Sequence, residues 1–157
     1  MQGLRYNYFG PATAATLATP LACLVANPIE AATIRGTQHK HILKRVAEGR
    51  DFKLVRVCKE DECVGIASGL HYCNKRALAL IQHTGFLDSI NAIRGVGVEY
   101  AQPICMMIGL LQHDPTKTPR NSPRYGVRIV EPILDAMGIP HHFINEDADV
   151  AKIRPAI

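Results

Sequence analysis

The sequence has no tryptophan, and only 6% of its 157 residues are aromatic. It also has no long run of like charges, although 18 basic residues against 14 acidic residues leave a formal net charge of +4. The densest basic stretch, residues 39–45, is interleaved with apolar residues, a pattern typical of a solvated helix face. We therefore expect no nucleic-acid partner, because both a basic arm and aromatic stacking platforms are missing.

Cysteine pairs of the CxxC type are also absent, and the cysteine count of 5 is odd. Cys58, Cys63 and Cys105 lie within apolar runs, which predicts small buried side chains in a reducing compartment rather than disulfides. The spacing of cysteines and histidines matches no standard zinc pattern, so no metal site is predicted. No Walker-type or G-x-G-x-x-G loop occurs, which leaves the alternative of a nucleotide-binding flavodoxin-like module without support.

Near the N-terminus, residues 12–26 form an apolar run that is rich in Ala and Thr and is interrupted by Pro20. A membrane-spanning helix needs about 20 apolar residues, so this run is too short, and we expect no membrane association. Arg5 is the one basic residue that precedes the run, which is weak support for a signal peptide. We predict a cytoplasmic protein in which residues 1–36 are an irregular lead-in or arm and residues 37–157 form a single domain.

Beyond residue 38, helical patterns alternate with short apolar runs. The helical patterns cover residues 39–48, 60–74, 85–98, 127–137 and 147–154. The predicted strands cover residues 52–57, 77–81, 103–108 and 141–144. Units of this βαβ kind predict an α/β fold with three layers and a doubly wound, mainly parallel sheet.

Ligands of such sheets bind beyond the carboxyl ends of the strands. In this sequence, the turns that follow three of the predicted strands lie at residues 59–60, 82–85 and 109–111. We therefore expect these three turns to share one edge of the sheet and to contain the functional site.

The first of these turns opens a helix with Glu60, Asp61 and Glu62. One interpretation is purely structural, because acidic residues favour the positive N-terminus of a helix. The same helix carries Gly65 and Gly69, although a glycine inside a helix costs about 1 kcal/mol relative to alanine. Two such glycines indicate close packing of the helix or an interface.

The segment from Glu60 to Gly69 resembles the pyrimidine-domain motif of thiamine-diphosphate enzymes. In that motif a glutamate opens a helix that carries alanines and, nine residues later, a glycine. Residues 69–93 resemble a stretch of the sulfopyruvate and phosphonopyruvate decarboxylases in which a strand ends in Gln-Asn-Ser-Gly. Here residues 82–85 read Gln-His-Thr-Gly. The resemblance implies the fold of a thiamine-diphosphate pyrimidine domain.

Residues 124–140 also resemble that group, so the resemblance extends over about residues 39–154. The chain departs from it at three places. His83 and Asp88 stand where these decarboxylases usually have asparagine, and residues 110–111 are both leucine where the relatives carry an arginine. The missing arginine removes an expected binding group for a sulfonate or a phosphonate.

The resemblance implies that Glu60 binds the aminopyrimidine ring of thiamine diphosphate through a charge-assisted hydrogen bond and promotes its reactive imino tautomer. The turn after the second predicted strand would contact the cofactor through Gln82, His83, Thr84 and Gly85. Three side chains near this edge are candidates for substrate contacts: His83, Asp88 and His113.

In the family, a Gly-Asp-Gly motif on a different domain holds the diphosphate and a magnesium ion. That motif does not occur in this sequence. The resemblance therefore implies a diphosphate-binding beta subunit that holds the magnesium, in an α2β2 or larger hetero-oligomer. Together the subunits would form a carboxy-lyase that acts on a small 2-oxo acid. Two alternatives stay open: a carboligating subunit similar to that of acetolactate synthase, and a non-catalytic regulatory subunit that retains the fold.

Overall fold

In the computed structural model, which describes residues 5–9, 21–26, 48 and 52–153, the described strands form one parallel sheet. These strands are β1 (Arg5–Phe9), β2 (Leu21–Ala26), β3 (Phe52–Val57), β4 (Ala77–Gln82), β5 (Cys105–Gly109) and β6 (His141–Ile144). Their order across the sheet is β3-β2-β4-β5-β1-β6, and neighbouring strands in this order are parallel. The predicted α/β class with a parallel sheet is confirmed.

The described α-helices are α1 (Glu60–Tyr72), α2 (His83–Asp88), α3 (Ile90–Ala92), α4 (Tyr125–Arg128) and α5 (Val130–Ala136). A π-helical segment, Ile93–Glu99, continues α3, and short 3₁₀ turns cover Pro119–Asn121 and Asp147–Lys152. The single helix predicted over residues 85–98 is thus divided. Ser89 lies at the division and donates its hydroxyl to the carbonyl of Gly85 (2.7 Å). Such a local bond competes with regular helical pairing.

The core lies between the sheet and α1, α2, α4 and α5. One face of β4 and β5 contributes Ala79, Ile81, Met106 and Ile108, which pack with Val64 and Ala67 of α1 and with Phe86 of α2. The opposite face contributes Leu78, Leu80 and Met107, which are also buried. Burial on both faces explains why these strands show no polar alternation in the sequence. The three-layer, doubly wound arrangement stays a prediction, because most of residues 27–51, including the predicted helix 39–48, lies outside the described residues.

Two strands come from residues 1–36, which the sequence analysis predicts to be irregular. β1 pairs with β5 and β6, while β2 lies between β3 and β4. The prediction is wrong for these two segments. β2 is hidden in the sequence because it forms the end of a longer run of Ala and Thr, directly after Pro20. The rest of residues 1–36 lies outside the described residues, and the proposed domain boundary stays a prediction.

Elsewhere the sequence locates the elements well. β3 and β6 have the predicted bounds, and the ends of β4 and β5 differ from the predicted ones by one or two residues. Cys63 is fully buried as expected, but Cys58 is exposed because it lies in the turn that precedes α1. None of the helices in the described part of the chain is long and apolar enough to span a lipid bilayer.

Candidate functional site

The three predicted turns do share one edge of the sheet. Gln82, the last residue of β4, is in register with Gly109, the last residue of β5. β3 also ends at this edge, since its penultimate residue Arg56 is in register with Val25, which in turn pairs with Leu80. The parallel direction of the strands therefore brings the start of α1, the start of α2 and the turn after β5 to the same side of the molecule.

Glu60 and Gly85 are in direct contact at this edge. A Cβ atom built on Gly85 would lie 2.6 Å from Oε1 of Glu60 and 2.5 Å from its Cδ, closer than real Cβ contacts. Only a glycine at position 85 therefore leaves room for the Glu60 carboxylate in this place. The contact joins the first residue of α1 to the first turn of α2.

The acidic cluster at the start of α1 has divided roles. Glu62 caps the helix, since its Oε2 accepts hydrogen bonds from the backbone N–H groups of Cys58 (3.0 Å) and Lys59 (3.3 Å). Glu60 is half-buried and accepts no hydrogen bond from any described residue. Glu62 thus has the structural role expected of an acidic residue at a helix N-terminus. The carboxylate of Glu60 has no such role and is not engaged in capping α1.

These carboxylates also affect the neighbouring thiol. Burial, followed by the charges of Glu60, Glu62 and Asp61, raises the pKa of Cys63 to about 12. A thiol with so high a pKa is not a nucleophile near neutral pH. Cys63 is therefore a packing residue beside the start of α1.

His83 lies on the other side of the α2 start. Its side chain is 8% exposed, and its Nδ1 accepts a hydrogen bond from the backbone N–H of Leu111 (3.2 Å). Burial lowers the pKa of His83, and the carbonyl of Gly109 opposes this with a smaller effect. On its far side, a Cβ at Gly126 would lie 3.2 Å from Nε2. The ring is thus fixed between the turn after β5 and α4.

The other candidate residues are less closely associated with Glu60. Gln82 is half-buried at the end of β4, and Thr84 is exposed. Asp88, at the end of α2, is also exposed, and no hydrogen bond or ion pair joins it to Glu60 or His83.

His113 lies toward the β6 side of the sheet. Its ring packs edge-on against Phe143, with the ring centroids 5.6 Å apart. Burial lowers its pKa, against an opposing effect of the Asp114 carboxylate. β1 lies between β5 and β6, so the strand that carries Phe143 lies two strands beyond β5, on the side away from β4. Its assignment as a substrate residue stays a prediction.

Sequence reasoning missed three contributors to the site. Leu111 acts through its backbone N–H, Gly126 through its lack of a side chain, and Ser89 through its bond to the carbonyl of Gly85. A pattern of side chains cannot indicate a backbone donor. The Arg-Tyr-Gly sequence at residues 124–126 was the available signal for Gly126, but without the fold nothing connected it to His83.

The glycines of α1 do not pack closely against any described residue. A Cβ at Gly65 or Gly69 would meet no atom of the described residues within 4 Å, and both glycines are exposed. The predicted close approach is therefore not made by the described part of this chain, and an interface at this helix stays a prediction.

No protein-family model matches the chain. A comparison with curated proteins finds 28% identity over 105 residues with sulfopyruvate decarboxylase subunit alpha of Methanocaldococcus jannaschii. The chain is similar to sulfopyruvate decarboxylase subunit alpha. This match covers 64% of the chain and 59% of the relative. The subunit alpha of Methanococcus maripaludis is 29% identical over 69 residues, which are 44% of the chain and 41% of that relative.

The matches therefore span only about three fifths and two fifths of the lengths of the two subunits alpha. They confirm the resemblance to sulfopyruvate decarboxylases that the motifs at residues 60–69 and 82–85 indicate.

Proposed function

We propose that this chain is the aminopyrimidine-binding subunit of a thiamine-diphosphate-dependent 2-oxo acid decarboxylase, and that Glu60 activates the cofactor. The observation that carries the proposal is the contact between Glu60 and Gly85. Gly85 packs against the half-buried carboxylate of Glu60, which has no partner among the described residues. This carboxylate lies at the edge of the sheet where ligands of α/β folds bind. The similarity to sulfopyruvate decarboxylase subunit alpha supplies the type of cofactor.

The residues at this edge fit the aminopyrimidine. A ring nitrogen of the cofactor needs a carboxylate that is partly shielded from water and not already paired, because a charge-assisted hydrogen bond is strongest there. Glu60 meets both conditions, whereas Glu62 is engaged in capping α1. Gly85 keeps the space around the Glu60 carboxylate free of a side chain. The bound cofactor would supply the electron sink for loss of carbon dioxide.

A second subunit would complete the site. The sequence has no Gly-Asp-Gly motif, so the diphosphate and its magnesium ion would be held by a beta subunit. The exposed Gly65 and Gly69 of α1 are a suitable surface for that contact. We propose a hetero-oligomer of the α2β2 type or larger that acts on a small 2-oxo acid.

The substrate need not be sulfopyruvate. Leu110 is buried and Leu111 half-buried after β5, where the decarboxylases that the chain resembles carry an arginine. An apolar turn favours a 2-oxo acid without a strongly anionic tail, because burying an unpaired anion is costly. A panel of 2-oxo acids with apolar, carboxylate and sulfonate tails would decide this point.

The test pairs Glu60→Gln with Glu62→Gln. Each is prepared with a candidate diphosphate-binding subunit, thiamine diphosphate and magnesium, and carbon dioxide release is measured across the panel. We expect Glu60→Gln to lower kcat by roughly 10²-fold or more, the usual scale for losing an acid–base group. Glu62→Gln should retain most of the activity, since a glutamine can still accept the capping bonds from Cys58 and Lys59.

The remaining outcomes separate the alternatives. Equal loss in both variants would indicate that damage to α1, and not cofactor activation, causes the effect. Condensation products in place of carbon dioxide and a free aldehyde would favour a carboligating subunit. A complex that binds no thiamine diphosphate by calorimetry and shows no turnover would favour a regulatory subunit.

A further inference from the structure

The bond from Leu111 determines which nitrogen of His83 carries the proton. A ring nitrogen that accepts an N–H bond has no proton of its own, so a neutral His83 carries its proton on Nε2. The other tautomer would place two N–H donors against each other across 3.2 Å. Burial of the ring favours the neutral form. The carbonyl of Gly109 favours a proton on the ring, but this effect is the smaller of the two.

The edge of the ring that carries Nε2 faces Gly126. A Cβ at this position would lie 3.2 Å from Nε2 and 3.3 Å from Cδ2, so a methyl group would displace the ring or cover the donor. Gly95 offers a contrast, because a Cβ there would meet nothing within 4 Å. No described side chain accepts a hydrogen bond from His83, and the backbone carbonyl that interacts with the ring is that of Gly109, two residues before Leu111 in the same turn. With Nδ1 occupied by Leu111, the Nε2–H donor has no side-chain acceptor among the described residues and is left for a ligand.

We infer that His83 is a specificity-determining hydrogen-bond donor, which Leu111 fixes in the neutral Nε2–H form and Gly126 leaves open to an oxygen of the 2-oxo acid. The ligand in this inference rests on the proposed function, whereas the protonation state of the ring does not. A neutral donor binds a carboxylate or carbonyl oxygen without adding a buried positive charge.

The first experiment reads the tautomer directly. The full chain is labelled with ¹⁵N-histidine, and long-range ¹H–¹⁵N correlation spectra are recorded at neutral pH. His83→Gln removes one set of signals and so assigns it among the 7 histidines. We expect Nδ1 of His83 to resonate in the unprotonated range and Nε2 in the protonated range. An Nδ1–H form would overturn the inference.

Two glycine variants test whether Gly126 leaves the Nε2 side of the His83 ring uncovered. Gly126→Ala should move the His83 ring signals, whereas Gly95→Ala should leave them unchanged, because only the first methyl group meets the ring. Unchanged His83 signals in Gly126→Ala would contradict the assigned role of Gly126. Should Gly126→Ala fail to fold, the tautomer in the wild-type chain still decides the inference.

The second experiment uses two amide replacements. The amide of a glutamine reaches the place of Nε2, whereas the amide of an asparagine reaches only that of Nδ1. In the assembled enzyme, His83→Asn should lower kcat/KM by about five- to tenfold, mainly through KM, because one neutral hydrogen bond is lost. His83→Gln should stay within about twofold of wild type, and the reverse order would contradict the inference. An inactive wild-type complex would count against the proposed function, while the tautomer measurement stands separately.

Discussion

Acidic side chains lie at two edges of the same sheet, and their contacts differ between the two edges. Near the start of β6, Glu131 and Asp135 of α5 lie beside Arg120, whose Nε is 3.5 Å from Glu131 and whose Nη2 contacts Asp135. Nε2 of His141 lies 3.8 Å from Glu131. We call these four residues the α5 ion cluster. At the carboxyl edge, Glu60 has no such partner among the described residues and packs against a glycine.

The comparison separates carboxylates that stabilise the fold from the carboxylate that we propose to bind a cofactor. Carboxylates that are paired within the chain lower the free energy of the folded state, if only modestly near the surface. Glu62 belongs to this first kind, since two backbone N–H groups bind it. A half-buried carboxylate without a partner contributes no such stabilisation, and the proposed function supplies the hydrogen-bond partner that Glu60 lacks within the described residues.

Among the variants that test this comparison, Gly85→Ala should have the largest effect. The added Cβ would overlap the carboxylate of Glu60, so either Glu60 or the start of α2 must move. The atoms that this Cβ would meet belong to the flexible side chain of Glu60, so the carboxylate can turn away at little cost in stability. We expect a small change in the urea midpoint together with a loss of decarboxylase activity similar to that of Glu60→Gln.

The matched control for Gly85→Ala is Gly95→Ala. Gly95 lies in the π-helical segment, and a Cβ there would have open space. Its stability and activity should remain within experimental error of wild type or rise slightly, because alanine is the better helix former. If Gly85→Ala behaved like Gly95→Ala, Glu60 would not depend on the contact with Gly85, and the main observation behind the proposed function would be lost.

Much of the fold could be predicted from the sequence, because a strand buried on both faces leaves a plain signal. The uninterrupted apolar runs of β4 and β5 are this signal, and the glutamate that opens α1 is located correctly. The same signal does not identify β1 and β2. β2 continues the apolar run of residues 12–26, although it contains Leu, Cys and Val and no Thr, so it does not stand out as a separate element.

The site could be predicted in part. Glu60 and the turn at residues 82–85 follow strand ends, and parallel topology then brings them together. The partners of His83 could not be predicted, because one is a backbone N–H and the other is the missing side chain of Gly126. Such contacts depend on how α4 packs against α2, which the local sequence does not encode.

A smaller effect is expected in the α5 ion cluster. Glu131 is only 15% exposed and lies between Arg120 and His141, whereas Asp135 is 50% exposed. Glu131→Gln should therefore reduce the free energy of unfolding by about 1 kcal/mol, and Asp135→Asn by less than about 0.5 kcal/mol. Urea unfolding at low and high salt checks this, since salt should reduce both differences. Neither variant should change decarboxylase activity, and a loss of activity in Glu131→Gln would remove the distinction between the two edges.

The smallest effect should be a pH dependence that comes from His83. Its folded-state pKa is lowered by burial from the ordinary value of 6.5, so between the two values the unfolded chain binds more protons than the folded chain. The stabilising contribution is therefore fully present above pH 6.5 and is lost as the pH falls below it. Protonation of Nδ1 would also break the bond from Leu111.

Urea unfolding of wild type and His83→Gln at pH 7.5 and pH 5.5 measures this contribution. Glutamine does not titrate, so the variant should lose less stability than wild type between the two pH values. His113 is present in both proteins, and its own pKa, also lowered by burial, cancels in the comparison. Equal losses in the two proteins would mean that His83 has an ordinary pKa in the folded chain. Its ring would then not be held as the neutral donor that distinguishes the carboxyl edge from the α5 ion cluster.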